Sequence, residues 1–476
     1  MEDKISFPQH TRSGYQNTAS SRLKPESEQT DGLPAPKRWF AASAMWLIIA
    51  ISTIDGTIAN IALPVIARDL GAEPVYSIWV INSYQIAVLS TLLPLSALGE
   101  RFGYYRVYLS GLALFVAAST ACALSRDLTV LVVSRFFLGL GAAGMIAVNG
   151  ALVRFIYPKE LLGRGIGYNA LVIAIGSAAG PGIAAVILRF LDWPWLFALN
   201  VPLGVAAFAV GAFTFPRQRG NSPSFDMRST ALYILALGLS SLGLVQFAHG
   251  EFGWPVVLQT GMGIIALSGL VAISRHQSTP ILPVDLLRIR PLKIAYSSSF
   301  FVYAAQMMAM VSLPFILHTH FRLDTFKIGI VLTPWAIATA IGAIVAGHRT
   351  EHNPGQLEAL GAAVLALGLI GFTLALGSTS LAVLSICSLT CGIGFGLFQT
   401  PNNRTSLTSG PPERSGGAAG MQALARLSGL ISGTALVAML FQLAGEESHR
   451  VIAVAAVLAA IAAGIGLLRN LQLRKA

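Results

Sequence analysis

The sequence predicts an all-α polytopic membrane protein with fourteen transmembrane helices, built as two six-helix bundles plus two inserted helices. Three observations carry this prediction. The first is composition: of 476 residues, 54% are hydrophobic and only 11% charged, with a mean hydropathy of +0.67. A soluble chain carries roughly 25% charged residues. Apolar stretches recur from Trp39 onward, each of about 20 residues and so able to cross a ~30 Å hydrocarbon core. Membrane barrels need short alternating segments, and the sequence has none.

The second observation is the placement of charge. With a cytoplasmic N-terminus, 24 Lys and Arg fall on the cytoplasmic side. Six fall outside: Arg68, Arg126, Arg189, Arg322, Lys327 and Arg450. Such a positive-inside bias supports an even number of spans and two cytoplasmic termini. The third is an internal repeat. At an offset of 253, Gly139, Gly141, Asn149, Pro158, Glu160, Gly163, Gly167, Gly176 and Gly180 meet Gly392, Gly394, Asn402, Pro411, Glu413, Gly416, Gly420, Gly429 and Gly433. At an offset of 250, Ala62-Leu63-Pro64 meets Ser312-Leu313-Pro314. Parallel halves related about the membrane normal are a transporter architecture, with the binding site near the midplane between them.

Residues 1–38 are polar and rich in Ser, Thr, Gln and Pro, which predicts a disordered cytoplasmic tail and a retained first helix. Hydropathy then places spans near 40–64, 77–98, 107–124, 129–153, 165–188 and 194–215, the N-terminal bundle of residues 39–215. A polar linker follows at 216–228, then the two inserted spans, near 229–248 and 254–274. After a cytoplasmic connection at 275–293 come spans near 294–317, 328–347, 358–376, 381–401, 418–443 and 451–468, the C-terminal bundle of 294–468, and a cytoplasmic tail at 469–476.

Within these spans the charged residues are Asp55, Arg135 and Arg426. An ionisable group at membrane depth is costly and marks proton, ion or substrate handling. Asp55, Ala59 and Ala62 share one helical face, and Arg135, Gly139, Ala142 and Ala143 form a similar one. Both charges lie roughly 9–14 Å below the outer ends of their helices, so they can pair. Desolvation disfavours an ionised carboxylate and a guanidinium favours it. A group pulled both ways can couple a proton to a conformational change; the alternative is a fixed structural ion pair. Arg426 either snorkels towards the cytoplasm or contacts an anionic group.

On the fifth span, the spacing of Gly176 and Gly180 permits close helix contact, and Pro181 removes a helix hydrogen bond. This is a packing seam, or a hinge that seals against proton leak. Gly99, Glu100, Arg101, Gly103 and Arg106 make a tight charged turn, either solvated or bridging helix ends. Trp79, Asn82, Tyr84 and Gln85, with Gln306, Met307, Met308 and Met310 and with Gln399, Asn402 and Asn403, are candidates for a polar-aromatic cavity. Such surfaces suit apolar or cationic ligands, although each residue can also serve helix packing.

Other classes fit poorly. The net charge of +11 is dispersed over short loops, which argues against nucleic acid. Cys122, Cys387 and Cys391 are core residues without metal-ligand spacing. No phosphate-binding Gly-x-x-x-x-Gly-Lys-Ser/Thr loop is present, so ATP is not the driver. No Ser/His/Asp set or intramembrane His-x-x-x-His pair suggests an enzyme, and a passive channel needs no carboxylate–arginine pair.

Taken together, these segments resemble the major facilitator superfamily, in particular its 14-span drug:proton antiporter branch. Asp55-Gly56-Thr57-Ile58-Ala59-Asn60-Ile61-Ala62-Leu63-Pro64 is similar to the branch's first-span motif, whose Asp is a proposed protonation site. The Gly99–Arg106 turn resembles the superfamily's loop between spans two and three, with Glu100 in place of Asp and with Tyr104 and Tyr105 where basic residues are common. Arg135, Gly139 and Gly141 match the fourth-span motif, and Gly167, Gly176, Gly180 and Pro181 the antiporter motif, with Ala184-Ala185 replacing its closing glycines. The segment from Asp192 to Pro202 is similar to the branch's entry to span six. The resemblance implies proton-driven export of toxic, often cationic or amphipathic, compounds from a bacterial cytoplasmic membrane. It implies no cofactor beyond the gradient, and a monomer in the bilayer. The alternative is a proton-coupled exporter of one cellular metabolite.

Overall fold

The computed structural model describes residues 32–217, 226–277, 280–349, 354–375, 380–411, 414–445 and 448–473. Most of the N-terminal tail, most of the 216–228 linker and the end of the C-terminal tail, on which the expectations above partly rest, lie outside the described residues. Among the described residues, fourteen helices are long and apolar enough to cross a membrane. In chain order they are α1 Ala35–Asp69, α2 Pro74–Phe102, α3 Tyr104–Ala123, α4 Leu128–Ile156, α5 Lys159–Phe190, α6 Trp195–Thr214, α7 Met227–Ala248 and α8 Trp254–Ser274. They continue with α9 Arg290–Thr319, α10 Thr325–His348, α11 Pro354–Leu374, α12 Leu381–Thr408, α13 Gly416–Ala444 and α14 Arg450–Leu467. Backbone polar groups have no water to bind in a bilayer, so helices satisfy them internally.

The repeat read in the sequence is repeated in the packing. In the first half α2 packs on α4, α3 on α4, α1 on α5, and α1 and α3 on α6; in the second, α10 packs on α12, α11 on α12, α9 on α13, and α9 and α11 on α14. The glycines explain why. A Cβ at Gly139 would collide with the Tyr84 carbonyl of α2, and one at Gly392 with the Trp335 carbonyl of α10. Likewise Gly141 lies against Gly111 and Phe115 of α3, as Gly394 lies against Gly361 and Leu365 of α11. Gly176 and Gly180 press α5 onto Thr53 and Thr57 of α1, and Gly429 and Gly433 press α13 onto Phe300 and Ala304 of α9. Small residues allow this approach, and van der Waals packing then supplies the association that hydrophobicity cannot supply in lipid.

The halves meet through α5 on α10, α2 on α13 and α1 on α9. These contacts are themselves related by the repeat. The inserted pair is asymmetric: α7 packs on both α2 and α13, whereas α8 packs mainly on α7 and exposes most of its surface. At the membrane face opposite the start of α1, the residue after α7, His249, ties the three units together. Its Nδ1 lies 2.7 Å from the Val245 carbonyl and its Nε2 3.0 Å from the Val75 carbonyl. Its own carbonyl accepts from Gln442 of α13. Tyr76 and Trp79 lie against the ring, with centroids at 6.4 and 5.1 Å.

Burial holds the pKa of His249 below the ordinary histidine value. A depressed folded-state pKa makes no contribution while the ring is neutral in both states, and it destabilises as pH falls through the unfolded value of about 6.5. The apparent unfolding temperature of wild type should therefore fall more between pH 7.5 and pH 5.5 than that of His249→Gln. Equal falls would show that this ring does not titrate against the fold.

Candidate functional site

Asp55 lies in the interior of α1, roughly 20 Å of helix from its C-terminal end. Its side chain is sealed, at 2% exposure, yet both carboxylate oxygens are satisfied. Oδ2 accepts from Nη1 of Arg135 at 2.7 Å, and Oδ1 from Nδ2 of Asn200 on α6 at 3.0 Å. Arg135, at 1% exposure, is in turn fixed from several sides. Its Nε donates to the Val80 carbonyl at 3.1 Å, and its guanidinium lies 4.7 Å from the Tyr84 ring centroid and 5.5 Å from that of Phe197. Gly139, one turn further along α4, lets α4 close on α2 so that Arg135 reaches Val80. The sequence placed Asp55 and Arg135 at one depth; it gave Asn200 no role, although it lies in the sixth-span entry segment. Hydrogen-bond donors to both oxygens suit the ionised carboxylate. Removing either partner would leave the other charge uncompensated in a dry site.

The antiporter-motif glycines border this pair. Thr53 and Thr57, which receive Gly176 and Gly180, lie two residues before and after Asp55. Thr57 spends its hydroxyl proton on the Ile54 carbonyl at 2.9 Å. On the opposite side of α5, a Cβ at Gly329 of α10 would collide with Ala185, and Pro181 presents its carbonyl to the same glycine. The seam thus touches both Asp55's helix and the other half.

The cavity candidates separate into groups. Trp79 lies against His249 near the membrane face. Asn82 is fully buried and accepts from Thr434 of α13, a polar link between the halves. Tyr84 lies under Arg135, while Gln85 is buried with no hydrogen-bond partner for Oε1 among the described residues. Gln306 and Met310 are half-buried, and Met307 and Met308 are buried in the α9 core. Gln399 donates to the Tyr303 hydroxyl at 3.2 Å. Asn402 is fully buried in a packing network. It accepts from Ser299 at 2.6 Å and Gln422 at 2.8 Å, and it donates to the Ala295 carbonyl at 2.9 Å. Asn403 is exposed at the edge of that network.

Arg426 is half-buried on α13, with the Tyr303 phenol of α9 within range of its charge. It lies roughly 15 Å along α13 from the Gly416 end. One charge was missed. The helix expected from residue 358 begins at Pro354, because proline is well suited to a first helical turn. Glu358 is therefore inside the helix, 1% exposed, accepting from Thr405 at 2.9 Å. In the charged turn, Gly103 adopts φ +99°, closes α2 by donating to the Gly99 carbonyl at 2.9 Å, and precedes α3. Gly99 packs on Val148 of α4; Glu100, Arg101 and Arg106 are exposed, with the Arg101 guanidinium over the Phe102 ring.

A family model described as Major Facilitator Superfamily matches residues 45–434. The chain is 44% identical over 454 residues to an uncharacterized transporter, YebQ of Escherichia coli, covering 94% of this chain and 98% of that one. It is 28% identical over 408 residues to the riboflavin transporter RibZ of Clostridioides difficile, covering 85% and 88%. It is 25% identical over 423 residues to the multidrug efflux pump LfrA of Mycolicibacterium smegmatis, covering 86% and 83%. Among solved structures, a POT family transporter in complex with a thioalcohol-conjugated peptide is similar in fold. The TM-score is 0.71 at 14% identity, covering 90% of this chain and 96% of that one.

The pair geometry predicts a non-additive mutant cycle. Arg135→Gln should lose about 3 kcal/mol of stability by stranding the Asp55 charge. Asp55→Asn combined with Arg135→Gln should recover most of that loss. Additive losses in thermal unfolding of the purified variants would contradict a buried, coupled pair.

Proposed function

The chain belongs to the Major Facilitator Superfamily, and from that premise we propose that it is a proton-coupled antiporter exporting drugs or other toxic amphipathic or cationic compounds by alternating access. The proposed setting is a bacterial cytoplasmic membrane, with both termini inside and the transporter acting as a monomer. The observation that carries this reading is the sealed carboxylate of Asp55, bonded at 2.7 Å to Arg135 and at 3.0 Å to Asn200. Its three ligating elements, α1, α4 and α6, all belong to one half. The α5 seam connects Asp55's helix to the other half, with Gly176 and Gly180 against α1 and with Pro181 and Ala185 against Gly329 of α10.

The proposed cycle follows from the charge balance. With Asp55 ionised, the pair is neutral overall and both carboxylate oxygens are occupied. A proton arriving at Asp55 removes the charge that holds Arg135, which frees the guanidinium from its strongest contact and loosens the α1–α4 link. Loss of the proton restores it. A rearrangement of α1 against α5 moves the α5–α10 contact, so proton occupancy at Asp55 biases the two halves between outward and inward arrangements. Cargo entering the space between the halves drives the opposite change, which couples export to proton entry. The drive is the proton gradient alone.

The multidrug efflux relative supports the drug-export reading. The riboflavin transporter relative supports a second one, a proton-coupled exporter of a single metabolite. Competition separates them: a broad pump shows mutual inhibition among unrelated cargoes, a narrow exporter does not.

The test is transport in proteoliposomes under an imposed pH difference. Wild type should move cargo uphill and release protons when cargo binds. Asp55→Asn should abolish both while cargo binding persists. Uphill transport undiminished in Asp55→Asn would overturn the proposal.

A further inference from the structure

Beyond the Asp55–Arg135 pair, Arg426 is a charge within the spans to which no role has been assigned. Among the described residues it forms no ion pair, in contrast to Arg135. It is half-buried in the interior of α13, the helix that packs on α2 of the other half. Around it stand hydrogen-bonding groups without a negative charge. The Tyr303 phenol of α9 is within range of its charge, and the Tyr303 hydroxyl receives Gln399 of α12 at 3.2 Å. The Tyr303 ring is held edge-on by Phe395 at 5.3 Å, which fixes its direction. Across the interface, the Tyr84 phenol lies within electrostatic range of Arg426 while its ring supports the Arg135 guanidinium at 4.7 Å.

The charge balance at this level is uneven. Asp55 and Arg135 cancel, and Glu358 lies one turn from the end of α11, engaged with Thr405. Arg426 is therefore a positive charge without an ion-pair partner among the described residues, on a helix that packs against the other half. An unpaired guanidinium at membrane depth is costly, and a planar fork of N–H donors matches a carboxylate. We propose that Arg426, with Tyr303 and Gln399, is the subsite for the anionic group of the cargo, so the exported compounds are aromatic or amphipathic organic carboxylates. This rests on the export reading and narrows it: a cationic cargo would face Arg426 with no counter-charge. Tyr84, whose ring lies 4.7 Å from the Arg135 guanidinium, is within electrostatic range of Arg426 as well.

The experiment uses three probes sharing one ring: 2-naphthoate, 2-naphthamide and 2-naphthyltrimethylammonium. Binding to the purified full-length protein is measured alongside uptake by inverted proteoliposomes, for wild type, Arg426→Gln and Arg426→Lys. Wild type should bind the carboxylate at least about tenfold more tightly than the other two, as a charge-assisted hydrogen bond provides. Arg426→Gln should erase that preference while still binding the amide, which confirms a folded site, and Arg426→Lys should restore part of it. A wild type that ranks the ammonium probe equal or first, or an Arg426→Gln protein that keeps the carboxylate preference, overturns the proposal. The two readings fail separately. Arg426-dependent carboxylate binding without gradient-driven transport leaves the subsite and removes the antiporter; gradient-driven transport of the ammonium probe, indifferent to Arg426, does the reverse.

Discussion

A single ion pair organises this molecule: the carboxylate of Asp55 against the guanidinium of Arg135, shut away from water in the interior of a bilayer-spanning bundle. Placing two charges there is expensive, and the attraction between them offsets the cost only when the geometry is good and the remaining hydrogen-bonding positions are filled. Much of the first half serves that geometry. Asn200 fills the second oxygen, Val80 the Nε, and two aromatic rings flank the guanidinium. Gly139 removes the side chain that would hold α4 away, and Gly176 and Gly180 bring α5 against the turns on either side of Asp55.

The second half repeats the glycine contacts without repeating the pair. Gly392, Gly429 and Gly433 make approaches equivalent to those of Gly139, Gly176 and Gly180. Yet Thr53 of the first half is matched in α9 by Tyr303, and a network of neutral groups fills much of the polar interior of that half: Ser299, Asn402, Gln422 and Ser406 bond to one another. One scaffold, used twice, thus carries a buried ion pair on one side and mostly uncharged hydrogen bonding on the other, with Glu358 and Arg426 as exceptions. In the antiport we propose, this asymmetry lets one half hold the proton while the cargo bridges both.

The fold was legible because it rests on two strong patterns, span hydropathy and the recurrence of glycine at fixed offsets. The depth of Asp55 and Arg135 was legible for the same reason: both are rare charges on small-residue faces. Asn200 was not, because an amide at the start of a span looks like any interfacial polar residue until three helices converge on it. Asn402 appeared available to a ligand, but tertiary packing closed Ser299 and Gln422 over it. Glu358 was hidden by an error of one helical turn at the start of α11. The bridging role of α7 left no signal in hydropathy; it depends on His249 meeting Val75 and Gln442, residues far apart in the chain.

The central claim is that Asp55 itself gains and loses the proton. Infrared difference spectroscopy of the purified protein across a pH titration addresses it directly, because a protonated carboxylic acid in a dry site gives a carbonyl band distinct from those of solvated carboxyls. The account predicts such a band that appears on acidification, vanishes in Asp55→Asn and shifts its titration in Arg135→Lys. A titrating buried-acid band that is the same in Asp55→Asn as in wild type would contradict it.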